Sequence, residues 1–202
     1  MDEHVSEILE EYRNVAKPLM EDIYHRMGSY PINCLNEIRA LNDHIARCYR
    51  NGIDDDQIDI ELNKASGHVQ RLVYDCLKQL NILLFKKIDQ VEKNTYTYRW
   101  LYINGGTFWR EFTLHKREAI ISEIEAKKQE SFNPQTAVEK YQDAYNHYIQ
   151  IENMLDEYSN EIKQSGRFKK IDIFMSGWIW FFTTVATAAC VAVLRFCIDK
   201  FL

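Results

Sequence analysis

Two short stretches hold the residues best equipped for chemistry, NEIRALNDHIARCYR at 36–50 and ELNKASGHVQRLVYD at 61–75. In the first, Arg39 and His44 have four residues between them, with Asn42 and Asp43 inside the gap. In the second, His68, Arg71 and Asp75 follow at spacings of three and four, which puts them on one helix face. A histidine titrates at about 6.5 and exchanges protons at cellular pH, and an arginine fork suits a phosphate. If the turn between the stretches centres near residue 53, antiparallel pairing sets Arg39 opposite His68, and Asn36 and Glu37 near Arg71. Such a cluster could hold a phosphate, or simply pair its charges across a helical hairpin.

The elements that position these groups read as helices. Val5, Ile8, Tyr12, Leu19, Ile23 and Met27 form a first stripe, which Pro18 kinks or restarts. Gly28 to Pro31 breaks the chain. A second helix, about Ile32 to Arg50, is expected to bury Leu35, Ile38, Ile45 and Tyr49. The turn at Asn51-Gly52 leads to Asp54, Asp55 and Asp56, acids suited to the start of a third helix reaching about Glu92. That helix carries Leu62, Val69, Leu72, Val73, Cys76, Leu80, Leu83 and Leu84. Residues 94–106, rich in threonine and aromatics, form either a short strand or an aromatic connection. A fourth helix follows at about Thr107 to Glu130, and a fifth at about Gln135 to Gln164. Ser165-Gly166 is read as the interruption before the last segment.

With its hairpin of "EIRALNDHIAR" and "GHVQRLVYD", the chain resembles the HEPN superfamily of small helical domains, over about residues 30–90. The resemblance implies that His44 is an acid or base and Arg39 the phosphate holder of a metal-independent ribonuclease. Arg110 and His115 repeat the spacing without the flanking pattern, a coincidence.

The last segment, Ile173 to Leu194, runs without a charge and is long enough for a helix to span a bilayer. Lys163, Arg167, Lys169 and Lys170 precede it, so residues 1–170 are expected to be cytoplasmic and 171–202 to form the transmembrane helix and a short tail. Ser176, Thr184, Ala188 and Ala192 fall at four-residue multiples, a face on which two helices approach closely. The fold expected is therefore all-α, a cytoplasmic HEPN-like bundle with a single C-terminal transmembrane helix. A helical domain of this kind with a membrane span is similar to the small membrane accessory proteins of type VI-B CRISPR systems. That likeness implies an antiphage defence protein of the bacterial inner membrane. It would form a homo-oligomer, compromise the bilayer and enhance an RNA-guided nuclease. A tethered ribonuclease acting on RNA and a non-catalytic scaffold for a cytoplasmic partner are the alternatives.

Composition narrows the rest. The chain has 25 Lys and Arg against 30 Asp and Glu, a net charge of −5, which argues against a broad electrostatic grip on nucleic acid. Five cysteines at positions 34, 48, 76, 190 and 197 show no C-x-x-C pairing and read as reduced, buried apolar residues. No phosphate-cradling glycine loop and no H-E-x-x-H occurs, so neither metal nor cofactor is expected. His147, set among tyrosines, reads as a packing or surface histidine. The acidic N-terminus does not read as a cleavable signal.

Overall fold

The computed structural model describes residues 2–201 in backbone, and in side chain residues 2–167, 171, 173–175, 178–185 and 187. Among the described residues it is all-helical, with no strand. Helix α1 (Asp2–Glu11) passes through a π-helical turn (Tyr12–Ala16) into α2 (Lys17–Met27). Pro18 explains the widened turn: it has no N–H, and its ring crowds the carbonyl four residues back. Helix α2 stops where Gly28, at φ +74°, donates its N–H to the Tyr24 carbonyl at 2.7 Å. Helix α3 (Ile32–Cys48) and the 40-residue α4 (Asp55–Asn94) form the hairpin. Asp54 starts α4 by accepting the Gln57 N–H at 2.8 Å. Helices α5 (Thr107–Gln129), α6 (Pro134–Glu157) and α7 (Ser159–Phe201) complete the chain. Asn133 caps α6 by accepting the Thr136 N–H at 3.2 Å, with Pro134 in the first turn, where its missing donor costs nothing.

The chain folds as two compact units. The first comprises Met1–Asp89 and Arg110–Met154. Its spine is α4, whose apolar residues recur every three or four positions. Leu72, Cys76, Leu77 and Leu80 pack on Leu19, Met20 and Ile23 of α2, while Leu62, Ala65 and Val69 pack with Val5, Ile8, Leu41 and Cys48. Helix α3 does not bury the expected stripe. Leu35 and Tyr49 are exposed, and Cys34, Leu41 and Cys48 line the buried face at seven-residue spacing. Small cysteines let α3 lie close to α4, a signal that larger residues on the outer face obscure.

The second unit comprises Gln90–Trp109 and Leu155–Leu202. Residues Thr97–Gly106 are a 3-10 coil and not a strand. The coil wraps Trp100, which is fully buried, with Phe108 edge-on at 5.5 Å. Asn104 holds φ +47°, a conformation asparagine tolerates, and its amide donates to the Tyr158 hydroxyl at 3.1 Å. Ser165-Gly166 does not interrupt the helix. The break lies at Tyr158, and α7 continues through both residues. Ser165 Oγ donates to the Tyr96 carbonyl at 2.9 Å and accepts its N–H at 3.0 Å. A Cβ on Gly166 would stand 3.3 Å from the Asn94 carbonyl, so the glycine serves close approach and not chain breaking.

Among the described residues no helix is long and apolar enough to cross a membrane. The stretch 173–194 lies partly outside that set. Of its expected packing face, Ser176, Ala188 and Ala192 fall outside the described residues and Thr184 within them.

Candidate functional site

The α3–α4 hairpin of the first unit brings two histidine–carboxylate pairs together. His44 on α3 shares a hydrogen bond with Glu61 on α4, Nδ1 to Oε2 at 2.7 Å. His68 on α4 does the same with Glu37 on α3, again at 2.7 Å. The two imidazoles stack at 5.1 Å with 19° between planes, so each helix contributes one histidine and one acid to a crossed arrangement. The side chains of all four residues are no more than 21% exposed, half-buried groups held by their partners.

Charged groups ring this core. Arg71 Nε donates to Glu37 at 3.2 Å, the pairing that the hairpin register predicts, and its Nη2 lies 2.9 Å from His68 Nδ1. Lys64 donates to Glu61 at 2.7 Å, Arg47 approaches Glu61 at 3.7 Å, and Arg47 also pairs with Asp43. His44 first and Lys64 second hold the Glu61 carboxyl down at about 2. Asp75 accepts a hydrogen bond from Asn33 at 2.9 Å, one step along the hairpin.

The structure separates the residues expected to act as a pair. Arg39 is exposed, with no hydrogen bond or ion pair among the described residues, whereas His44 faces α4. Five helical residues turn the chain through about 500°, leaving the two side chains about 140° apart around α3. They do not converge on one substrate atom within one chain. Asn42 is exposed on α3 as well. Of the expected cluster, His68 and Arg71 join His44 through Glu37 and the ring stack. Of the acids that organise the network, Glu37 is expected beside Arg71 but not against His68, and Glu61 is not expected at all. The hairpin register holds the signal: setting Arg39 against His68 sets His44 against Asn63, two residues from Glu61.

In this arrangement a carboxylate meets the Nδ1 of each histidine, which fixes the orientation of both rings. Among the described residues, no group of three or more His, Cys, Asp or Glu side chains could hold a metal ion. A separate histidine pair, His115 on α5 and His147 on α6, meets Nδ1 to Nδ1 at 2.9 Å. Burial first, and His147 second, draw the His115 pKa below its ordinary value. His147 is thus a packing histidine with a partner.

The network carries a direct test. His44→Ala is expected to raise the Glu61 titration from about 2 toward its ordinary 4.5, followed by carboxyl NMR, while Arg39→Ala leaves it in place. An equal shift in Arg39→Ala would put Arg39 back into the network.

No family model, no curated protein and no solved structure matches this chain.

Proposed function

We propose that the chain is a membrane-anchored, self-associating accessory of antiphage defence that acts by disturbing the inner membrane of a bacterium. On this reading residues 173–194 cross the bilayer, the helical part stays cytoplasmic, and the α3–α4 network locks the hairpin.

The observation that supports it is the surface of α7. Trp178, Ile179, Trp180, Phe181 and Phe182 are all exposed, Trp180 by 71%. Successive helical residues turn by about 100°, so these five cover the whole circumference. A helix apolar on every side needs lipid or protein around it. The hydroxyls of Thr183, Thr184 and Thr187 donate to carbonyls of their own helix at 2.7–2.9 Å, so these three donors are satisfied without water. That pattern suits lipid contact better than a polar pore lining. Self-association, the defence role and the link to an RNA-guided nuclease rest on the resemblance to HEPN-like domains and to the membrane accessory proteins of type VI-B systems.

A second reading, a tethered ribonuclease, draws on the stacked His44 and His68. It moves the phosphate-holding role from the outward-facing Arg39 to Arg71.

The test is membrane potential in cells expressing the protein under phage challenge, in three forms: wild type, His44→Ala, and a chain with an unrelated apolar helix at 173–194. Depolarisation by wild type that is lost on anchor exchange supports the proposal. Full protection by the exchanged chain without depolarisation contradicts it and leaves the scaffold. Protection without depolarisation that requires His44, with RNA cleavage by the purified protein, contradicts it in favour of the nuclease.

A further inference from the structure

The seam between α3 and α4 holds two thiols in contact. Cys34 Sγ and Cys76 Sγ lie 3.8 Å apart, and both residues are fully buried. The third described cysteine, Cys48, faces elsewhere, donating to the His44 carbonyl at 3.4 Å. Sequence spacing gave no hint of the pair, because 42 positions separate its members and only the hairpin register joins them. The neighbours are also particular. Glu37 lies one turn beyond Cys34 on α3, and Asp75, next to Cys76, accepts a hydrogen bond from Asn33, next to Cys34.

We propose that Cys34 and Cys76 are a reversible oxidation site, a dithiol that closes to a disulfide across the α3–α4 hairpin under peroxide. The Cys34 sulfur attacks one peroxide oxygen, the O–O bond breaks, and Cys34 becomes a sulfenic acid as one water leaves. The Cys76 sulfur then attacks the Cys34 sulfur, the S–O bond breaks, and the departing hydroxyl takes the Cys76 proton as a second water. Two thiols lose two hydrogens and two electrons, and the peroxide is reduced to two waters. The first step is assigned to Cys34 because contact between the two sulfurs draws its thiol down, while the same contact and burial push the Cys76 thiol up.

Burial sets the kinetics. No oxidant reaches either sulfur in the closed hairpin, so the reaction waits on local opening of the seam and quickens with whatever loosens it. Once formed, the bond ties α3 to α4 beside the His68–Glu37 pair and restricts the unfolded chain, raising the denaturation midpoint. In a reducing cytoplasm such a bond is transient, which suits a sensor more than a staple. The inference does not depend on α7 crossing a membrane.

The experiment treats the reduced, full-length protein with hydrogen peroxide under native conditions, blocks free thiols after unfolding, and maps the peptides. The expected result is a Cys34–Cys76 link with Cys48 still alkylated, a loss of two hydrogens in intact mass, and reversal by dithiothreitol. Cys76→Ala should stop at a Cys34 sulfenic acid that dimedone traps, a readout that does not require the link to form. Cys34 and Cys76 both alkylated after treatment, or linked as often to other cysteines as to each other, would overturn the proposal.

Discussion

Replacing Arg26 by methionine is expected to lower stability by about 3 kcal/mol, a large share of the 5–15 kcal/mol that holds a typical domain together. Arg26 on α2 donates to both carboxylate oxygens of Glu152 on α6, at 2.7 and 2.8 Å, and its Nε donates to Asp22 at 2.8 Å. Tyr145 of α6 donates its hydroxyl to Asp22 at 3.1 Å, and Lys87 of α4 donates to Glu152 at 2.7 Å. The guanidinium ties α2 to α6, and Lys87 brings α4 into the same network through Glu152. Methionine keeps the apolar stem but leaves two part-buried acids without their main partner, and that desolvated charge is the cost. Lys87→Met removes only the half-exposed arm of the clamp and should cost under about 1 kcal/mol. Denaturant titration of the three proteins measures both values, and equal losses in the two variants would contradict the assignment.

The same clamp sets an acid dependence. Arg26 first, then Lys87, hold the Glu152 carboxyl down at about 2 against an ordinary 4.5, in opposition to burial. A depressed carboxylate stabilises the folded state fully above its unfolded value and loses that contribution as pH falls through its folded one. Wild type should therefore lose stability between pH 4.5 and about 2, and Arg26→Met should show a flatter profile there.

The second large effect follows from the proposed membrane anchor and is expected in α7. Phe182 and Val185 lie near the middle of the apolar stretch, and both are exposed. Lysine at the centre of a span costs roughly 2.5–3.5 kcal/mol, so Phe182→Lys with Val185→Lys should disfavour insertion by about 6 kcal/mol. That is some four powers of ten in partition, enough to move the chain from lipid to water. Trp178 and Trp180 report the change, with emission shifting to the red as they leave the bilayer. Emission unchanged by the two lysines would mean that these tryptophans never sat in lipid.

Much of the architecture was legible in the sequence, for reasons that differ by element. Helix α4 announces itself because Leu62, Val69, Leu72, Cys76 and Leu80 keep a helical period over many turns, and Asp54 marks its start. Helix α3 was legible as a helix but not in its rotation. Ile38 and Ile45 sit beside the buried face, while Leu35 and Tyr49 point to solvent, and hydropathy alone ranks them alike. The pairing of Arg39 with His44 comes from the family resemblance, whereas a five-residue helical spacing by itself sets the two side chains about 140° apart around α3. Gly166 misled in another way: a glycine marks either a break or a close approach, and the Asn94 carbonyl that decides between them lies 72 positions back in the chain. The acids of the network, Glu37 and Glu61, resemble any surface glutamate until the hairpin register sets each against a histidine.

On the proposed function, α7 anchors this chain in lipid. Flotation of membranes washed with alkaline carbonate, from cells making wild type or the Phe182→Lys, Val185→Lys variant, tests it most directly. Wild type should float with the lipid, and the variant should remain at the bottom of the gradient or in the wash. Wild type released by carbonate, or both forms floating alike, would contradict the account.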